Sequence, residues 1–301
     1  MASSVLDLHG VFPPIPTPFD RLGAIDTGAL HSHLSFLGSF DLAGYVVLGS
    51  NGEAVHLSIE ERSHLLEAAR DRVPENRLLV AGTGCLSTWQ TIEVSKRAAD
   101  IGADAVLVLP PHYYKGRMTT EALRRHFHSV ADALSIPVIL YNMPGCTGLD
   151  MDVSTVAAIA DHPNIVGLKD SGGNTAKLGA LHQLLGDDFQ ILAGSASFLL
   201  PALSVGAIGG VLALANIEPA QCLAIRELAL AGDWSQARGI QVRLIEANTA
   251  VTSRFGVAGL KAAMRMMGLP DSFVRPPLLD LRDPDIGQLK SILIAARILK
   301  T

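Results

Sequence analysis

The sequence predicts an α/β fold, a (β/α)₈ TIM barrel followed by a C-terminal helical extension. Short, continuously apolar runs rich in Val, Ile and Leu recur along the 301 residues, and helical patterns lie between them. Such runs are typical of parallel strands covered by helices. Eight strand–helix units favour a closed barrel over an open sheet. The predicted strands are Val11–Pro16, Gly44–Leu48, Leu78–Ala81, Ala105–Leu109, Val138–Tyr141, Ile165–Lys169, Gln190–Ala193 and Gly209–Leu212.

Helix-start signals separate the predicted strands. Ser58 with Glu61, and Ser87 with Gln90, have the spacing of a capping box, in which two side chains satisfy free backbone amides at a helix start. These signals place helices directly after the second and third strands.

The chain becomes helical without further strands from about Glu218 onward. Helical patterns cover Asp233–Thr252 and Asp285–Leu299. We therefore predict a catalytic barrel over residues 1–230 and a helical extension over 231–301. No linker rich in Gly, Pro or Ser divides the chain, so we expect both parts to form one structural unit.

Composition and charge exclude several classes of function. The net charge is −5, with no basic block, which argues against a nucleic-acid partner. Cys85, Cys146 and Cys222 lie far apart with no CxxC motif, which argues against a disulfide framework and a zinc site. No apolar run reaches the roughly 18 residues of a membrane span. The first residues resemble no export or organelle signal, so we expect a cytoplasmic protein, and a mitochondrial location stays open for a eukaryotic source.

Two histidine pairs and one glycine motif are weaker candidates for function. His31 and His33, like His126 and His128, are two residues apart, and such pairs do not share a helix face. We interpret them as surface histidines and predict no metal site. The stretch 82–84, Gly-Thr-Gly, lacks the spacing of a dinucleotide-binding loop.

Candidate chemistry is expected where the strands end, because TIM barrels carry their active sites on the loops that follow the strands. The stretches at these ends are Gly49–Glu53, Pro110–Tyr114, Tyr141–Pro144, Lys169, Gly194–Ser195 and Ala213–Leu214.

Lys169 ends an apolar strand and is therefore expected at the mouth of the barrel. An amine surrounded by apolar strand ends loses the solvation that favours its ammonium form, and the neutral amine is a nucleophile toward carbonyl carbons. The alternative is a lysine whose amine extends out to solvent. Tyr141, at the end of the neighbouring strand, favours the first interpretation because a phenol can move protons during imine chemistry.

The turn Gly49–Glu53 offers backbone amides together with the side chains of Ser50 and Asn51. Such a concave turn suits a carboxylate, although it could also be only a tight turn before a helix. Gly172 and Gly173 either let a substrate approach Lys169 or form an ordinary loop. The loops 194–197 and 213–216 are nearly neutral, which favours an unphosphorylated 2-oxo acid over a phosphorylated substrate.

Together these residues resemble the class I pyruvate-dependent aldolases, the family of dihydrodipicolinate synthase and N-acetylneuraminate lyase. The motifs GSNGE, YYK, YNMP, GLKDSGG and LAGSASF carry the resemblance, which extends from residue 10 through the C-terminal helices. The resemblance implies a (β/α)₈ barrel with a helical extension and a homotetramer built as a dimer of dimers. It also implies a Schiff-base lysine that works with no metal and no organic cofactor.

The resemblance also assigns roles to individual residues. Lys169 matches the Schiff-base lysine and Tyr141 the proton-shuttling tyrosine, while Ser50 matches the relay hydroxyl and Asn51 its carboxylate-binding neighbour. In the family a further tyrosine crosses from a neighbouring subunit, and both tyrosines of the local PPHYYKGRM stretch compete for that role. The catalytic candidates are Lys169, Tyr141, Ser50, Tyr114 and Tyr113. The substrate-binding candidates are Ser50, Asn51, Gly52, Ser171, Gly194 and Leu212.

The substrate within the family depends on Cys146. This residue occupies the position at which the synthases carry a carboxylate-binding arginine, and a thiol cannot replace a bidentate guanidinium. The stretches GSNGE, YYKGRM, TGLD and ANTAVTSRFGVAGLK are more similar to 4-hydroxy-2-oxoglutarate aldolases, although Asn142 and Met143 depart from the mammalian pattern.

The resemblance thus favours cleavage of 4-hydroxy-2-oxoglutarate to pyruvate and glyoxylate. A dihydrodipicolinate synthase, a 2-keto-3-deoxy sugar-acid aldolase or dehydratase, and a keto-acid-binding barrel without turnover are the alternatives.

Overall fold

A computed structural model describes residues 6–300, in which eight parallel strands form one sheet in the order β1-β8-β7-β6-β5-β4-β3-β2. Strands β2 to β8 pair in sequence order and β1 pairs with β8, so only the β1–β2 seam lacks a regular ladder. This is the topology of a (β/α)₈ barrel. The fold class is confirmed. The strands are β1 (Gly10–Phe12), β2 (Gly44–Val47), β3 (Leu78–Gly82), β4 (Ala105–Val108), β5 (Val138–Asn142), β6 (Ile165–Asp170), β7 (Gln190–Ala193) and β8 (Gly209–Val211).

Two hydrogen bonds close the barrel between β1 and β2. The Val46 amide donates to the Pro13 carbonyl (3.1 Å), and the Ile15 amide donates to the Val46 carbonyl (2.8 Å). The first strand was expected to continue to Pro16, yet β1 ends at Phe12. Prolines at 13, 14 and 16 have no amide hydrogen, so only Ile15 can donate beyond Phe12 and a regular ladder cannot continue.

Helices cover the outside of the barrel and continue beyond it. They are α1 (Thr27–Leu37), α2 (Ile59–Arg70), α3 (Thr88–Ile101), α4 (Thr120–Asp132), α5 (Pro144–Thr147), α6 (Val153–Ala160), α7 (Thr175–Leu185), α8 (Leu199–Leu203), α9 (Pro219–Leu230), α10 (Trp234–Thr249), α11 (Gly256–Met266) and α12 (Asp283–Ala295). A π-helical segment, Ala250–Arg254, joins α10 to α11. Such segments often lie at functional sites.

The apolar side chains form two layers on opposite faces of the strands. The barrel interior holds a small cluster that includes Phe12, Val46, Ile139 and Leu192. A much larger cluster fills the space between strands and helices and continues into α11 and α12. Side chains of successive strand residues alternate between these layers. This alternation directs Tyr141 to the barrel interior and leaves its neighbour Leu140 in the outer layer.

One of the two predicted capping boxes is complete. At the start of α2 the Ser58 hydroxyl accepts from the Glu61 amide, and the Glu61 carboxylate accepts from the Ser58 amide. At the start of α3 the Ser87 hydroxyl accepts from the Gln90 backbone amide, which is half of a capping box. The Gln90 side-chain oxygen accepts from the Ser87 hydroxyl, whereas a complete box would have it accept from the Ser87 backbone amide. Both positions do begin helices, as the sequence indicated.

The interpretation of the histidine pairs was wrong for one member of each pair. His33 and His126 are buried, with exposed fractions of 1% and 5%. Because residues two apart lie on different helix faces, one histidine of each pair faces the core. The His33 ring donates from Nε2 to the Asn216 carbonyl (3.2 Å), and the His126 ring contacts the Thr88 hydroxyl (2.9 Å). Burial lowers the pKa of both imidazoles to about 4.

The described part of the chain contains no helix that is both long and apolar enough to cross a bilayer. Within residues 6–300, no three His, Cys, Asp or Glu side chains are grouped as metal ligands would be.

Candidate active site

A cavity of about 540 Å³ lies at the carboxyl end of the strands. Among the described residues that line it, Lys169 is the only one with a charged side chain. The cavity brings together most of the predicted site from four separate strand ends. Predicted residues that line it are Ser50, Asn51, Tyr141, Lys169, Ser171 and Gly194.

Lys169 is 3% exposed although it carries an amine. It is paired in register with Tyr141 on the neighbouring strand, and its Nζ atom lies 4.0 Å from the centroid of the Tyr141 ring. No carboxylate of residues 6–300 lies within 4.0 Å of that nitrogen. A buried amine that lacks an ion-pair partner fits the nucleophile predicted from the sequence.

The Tyr141 hydroxyl lies 3.2 Å from the Ser50 hydroxyl, so the predicted phenol and relay hydroxyl are hydrogen-bonded. Cys146 is next to both Ser50 and Lys169. Burial raises the pKa of the Cys146 thiol, while the Lys169 charge and a hydrogen bond with Ser50 act in the opposite direction. The position that carries an arginine in the synthases therefore presents an uncharged thiol to the cavity.

The turn after β2 is held in an unusual backbone conformation. Leu48 and Glu53, which flank it, have φ angles of 60° and 50°, in the left-handed region that non-glycine residues rarely adopt. The Thr17 hydroxyl donates to the Gly52 carbonyl at 2.5 Å. Gly52 itself is buried and does not line the cavity, so the prediction of Gly52 as a substrate contact is corrected to a role within the turn.

The side chain of Glu53 joins this turn to the C-terminal extension. Its carboxylate accepts from Lys261 Nζ (2.6 Å) and from the Arg275 backbone amide (3.0 Å). Lys261 is fully buried, and it also donates to the Phe273 carbonyl. Burial lowers the pKa of Lys261, and the Glu53 charge opposes that shift. The turn that carries Ser50 and Asn51 is thus fixed by residues more than 200 positions away.

A second buried network lies directly behind Lys169. Asp170 is fully buried and accepts hydrogen bonds from Asn142 Nδ2 (2.8 Å) and the Gly172 amide (2.7 Å). Lys177, at the start of α7, forms ion pairs of 2.7 Å with Asp170 and with Asp150. Successive strand residues point to opposite faces, so Lys169 faces the cavity while Asp170 ties the strand end to the helices.

Gly194 brings β6 and β7 close together beside the cavity. A Cβ atom at this position would overlap the Ser171 side chain and the Asp170 carbonyl. The Ser171 hydroxyl donates to the Gly194 carbonyl at 3.4 Å. The absence of a side chain at Gly194 therefore leaves room for the Ser171 hydroxyl at the cavity edge.

Three other predicted residues lie outside the cavity wall. Leu212 is fully buried in the outer apolar layer, and its neighbours Val211 and Ala213 line the cavity instead, so the prediction of Leu212 as a substrate contact is corrected. Tyr113 and Tyr114 are 72% and 71% exposed and stack edge to face with ring centroids 5.0 Å apart.

A smaller cavity of about 360 Å³ adjoins the first and shares Ser50, Tyr141 and Cys146 with it. Its far side is formed by Val55, Arg62 and His112. The site therefore opens in two directions from the Tyr141 hydroxyl.

The sequence did not reveal either buried network, because the carboxylates of Glu53 and Asp170 have no sequence neighbour that indicates a partner. A further set of side chains was also missed. Asn248, Thr252 and Ser253 of the extension line the larger cavity, together with Ser197. The only signal in the sequence was the polar composition of 247–254 inside an otherwise helical pattern.

Comparisons with known proteins agree with this geometry. The model of the dihydrodipicolinate synthetase family matches residues 7–296. A 4-hydroxy-tetrahydrodipicolinate synthase from Haloarcula marismortui is 35% identical and covers 96% of this chain and 94% of its own. A probable mitochondrial 4-hydroxy-2-oxoglutarate aldolase from Emericella nidulans is 40% identical over 85% of this chain and 84% of its own.

Solved structures show the same architecture. The 4-hydroxy-tetrahydrodipicolinate synthase from Methylacidiphilum fumariolicum SolV has a TM-score of 0.91 and 34% identity, and the match covers 97% of this chain and 96% of that one. YagE, a prophage protein of the dihydrodipicolinic acid synthase family from E. coli K12 solved in complex with pyruvate, has a TM-score of 0.90, 30% identity and coverages of 97% and 99%. The chain belongs to the dihydrodipicolinate synthetase family, and is an enzyme of its Schiff-base class I lyase and aldolase type.

Proposed function

We propose that this enzyme cleaves 4-hydroxy-2-oxoglutarate to pyruvate and glyoxylate by a retro-aldol reaction. The observation that carries the proposal is the environment of Lys169, a buried amine without a carboxylate partner, 4.0 Å from the ring of Tyr141. Tyr141 in turn is hydrogen-bonded to Ser50. This arrangement supplies a nucleophile and a route for protons in one cavity.

The reaction begins when Lys169 Nζ attacks the C2 ketone and water leaves, which forms a protonated imine. Tyr141, relayed through Ser50, takes the proton of the C4 hydroxyl. The C3–C4 bond breaks, its electron pair passes into the imine to give an enamine, and glyoxylate departs. A proton then adds to C3, and water hydrolyses the imine to free pyruvate and Lys169. The imine is the electron sink, so these steps require no metal or organic cofactor.

The C1 carboxylate is assigned to the turn after β2. Ser50 and Asn51 line the cavity with hydroxyl and amide groups, and the turn is fixed in place through Glu53. A rigid set of neutral donors suits a carboxylate that must be held while the bond two carbons away breaks. The pyruvate complex of the related YagE supports a 2-oxo acid as ligand of this fold.

Cys146 and the Emericella relative favour 4-hydroxy-2-oxoglutarate over aspartate semialdehyde. Cys146 departs from the arginine that the resemblance ties to the aspartate semialdehyde carboxylate, which disfavours the synthase reaction. The relative at 40% identity is named a probable 4-hydroxy-2-oxoglutarate aldolase. Several relatives are 4-hydroxy-tetrahydrodipicolinate synthases, and this is the second candidate function. A 2-keto-3-deoxy sugar acid is the third, favoured by the hydroxyl groups around the larger cavity. A measurable release or consumption of pyruvate would distinguish these three candidate activities from a barrel that only binds keto acids.

The assembly belongs to the same proposal. Tyr113 and Tyr114 are exposed, and so are the apolar side chains of Val55 (82%) and Trp89 (70%). Large exposed apolar side chains favour an interface when they share one surface. One of these tyrosines is proposed to enter the smaller cavity of a second copy and extend the proton relay, within a homotetramer built as a dimer of dimers.

A cytoplasmic location is proposed as well.

Borohydride trapping tests the proposal. Pyruvate with borohydride should leave a reduced covalent adduct on Lys169, identified by peptide mass spectrometry, because borohydride reduces the imine. The same preparation should release pyruvate from 4-hydroxy-2-oxoglutarate faster than it condenses pyruvate with aspartate semialdehyde. Lys169→Met is the control and should give no adduct, with a loss of activity on the order of 10⁴-fold. An active preparation without an adduct at Lys169 would disprove the mechanism.

A further inference from the structure

Three polar side chains on one side of the larger cavity have no part in the chemistry described so far. Ser195 and Ser197 lie in the loop after β7, and Asn248 lies in the last turn of α10. All three line the cavity that contains Lys169. We refer to these residues as the serine–asparagine array.

The array is a connected chain of hydrogen bonds. Asn248 Nδ2 donates to the Ser195 hydroxyl (2.8 Å), and the two serine hydroxyls are 2.9 Å apart. The Ser195 oxygen also accepts from the Ser197 amide (3.4 Å). Because its oxygen already accepts two hydrogen bonds, Ser195 gives its own hydrogen to Ser197. The hydroxyl hydrogen of Ser197 then has no acceptor among the described residues and is available to a molecule in the cavity.

Asn248 points to the same conclusion from the other end of the array. The residue is 1% exposed, and its Oδ1 atom has no hydrogen-bond partner among residues 6–300. A buried polar group in a native protein is normally paired, so an unpaired one beside a cavity calls for a donor that a bound molecule supplies. A water that donates one hydrogen to Oδ1 and the other to the substrate meets this need.

The charge of the cavity decides which group the array fits. No arginine, histidine or acidic residue is among the described lining residues, and Lys169 is committed to the imine. A terminal carboxylate can therefore be held here only by neutral hydrogen-bond donors, and acidic side chains that would repel it are missing from the described wall. Hydrogen bonds from neutral donors to a charged acceptor are stronger than those between neutral groups.

We infer that the serine–asparagine array binds the distal carboxylate of a short 4-hydroxy-2-oxo dicarboxylic acid, and so takes the place of the missing arginine at position 146. Ser197 is the binding residue, and Asn248 is a positioning residue that acts through Ser195. This inference rests on the proposed function, because it concerns the leaving end of the same substrate. It also gives the C-terminal extension a role in substrate selection.

Two substrates that differ only at that end test the inference. 4-Hydroxy-2-oxoglutarate carries a carboxylate there, and 4-hydroxy-2-oxopentanoate carries a methyl group. The wild-type enzyme should prefer the dicarboxylate, and Ser197→Ala should lower the ratio of the two kcat/KM values by at least about tenfold, since it removes a hydrogen bond to a charged group. The change should lie mainly in KM for the dicarboxylate. Asn248→Ala should lower the ratio in the same direction.

The controls separate this inference from the proposed function. Ser291→Ala removes an exposed hydroxyl from α12 of the extension, far from the cavity lining, and should leave the ratio unchanged. Pyruvate trapping on Lys169 should be as fast in Ser197→Ala as in the wild type. If trapping works but the ratio is the same in wild type and Ser197→Ala, the inference is wrong and the proposed function stands. If the wild-type enzyme gives no adduct, the proposed function fails. Ser197 lies in a loop, so its variant provides the test even if Asn248→Ala does not fold.

Discussion

Two lysines on either side of the β6 end are buried to a similar degree but have opposite surroundings. Lys169 is 3% exposed and faces the ring of Tyr141 in the cavity, with no carboxylate partner. Lys177 is 7% exposed and is paired with Asp150 and the fully buried Asp170 at 2.7 Å. Both amines are removed from water, and only one of them is compensated by negative charge. The comparison teaches that pairing, more than burial, distinguishes a structural lysine from the proposed nucleophile.

The third buried lysine follows the same rule. Lys261 is paired with Glu53 at 2.6 Å and holds the turn after β2 against the extension. A buried ion pair holds the two segments that carry its members together. Removal of either member leaves the other as an uncompensated buried charge. The enzyme therefore uses two paired lysines to position the groups around an unpaired one.

The largest effect on stability is expected from Lys177→Met. The variant leaves Asp170 buried without its cation, and loss of one member of a buried pair destabilises by about 3–5 kcal/mol. Urea unfolding monitored by circular dichroism measures the change. Lys96→Met, at an exposed lysine of α3, is the matched control and should stay within about 0.5 kcal/mol of the wild type. Equal stability of the two variants would show that the Asp170 pair does not hold the strand end.

Tyr141→Phe tests the role of the Tyr141 hydroxyl beside Lys169. The variant keeps the aromatic face over the amine and removes the hydroxyl that contacts Ser50. We expect kcat to fall by about 10²–10³-fold with little change in KM, because a proton relay is lost while ground-state binding is kept. Steady-state kinetics measure this, with borohydride trapping as a control that Lys169 remains accessible. A wild-type kcat would refute the assignment of Tyr141 to proton transfer.

The smallest expected effect is the change in stability with pH that is caused by the two buried histidines, His33 and His126. The pKa of His33 and His126 is lowered to about 4 by burial, so the folded protein holds both rings neutral. Their contribution to the free energy of unfolding is complete above about pH 6.5. It is lost as the pH falls toward 4, because between these pH values the two histidines bind protons only in the unfolded chain. Between pH 7 and pH 5 each histidine should account for about 2 kcal/mol of the loss.

The measurement is the free energy of unfolding at pH 7 and pH 5. The double variant His33→Gln, His126→Gln should lose less stability between these values than the wild type. An identical slope would mean that other groups cause the acid sensitivity.

Much of the fold was predictable because it depends on local patterns. The apolar runs gave all eight strands to within a few residues, and the strand ends placed Lys169, Tyr141 and Ser50 in one cavity. The errors have physical causes. Leu212 faces the helices because strand residues alternate, and a shift of one residue in the assumed register moves a side chain to the opposite face.

The polar environment of the site was not predictable from single positions. Asp170, Asn142 and Lys177 come together only because the barrel brings separate segments into contact. The same holds for Asn248, which lines the cavity and contacts Ser195 although the two are 53 positions apart in the sequence. The roles of Tyr113 and Tyr114 in an assembly remain predictions.

The contact between Glu53 and the residues at 261 and 275 has a consequence for the timing of biosynthesis. The turn proposed to receive the substrate carboxylate leaves the ribosome first, and its two holding groups emerge only 208 and 222 residues after Glu53. A nascent chain released before Arg275 would carry Lys169 and Tyr141 but an unsecured turn. Products truncated before Arg275 should therefore be catalytically poor even where the eight strands have formed, and competence should arise only once Arg275 has been made.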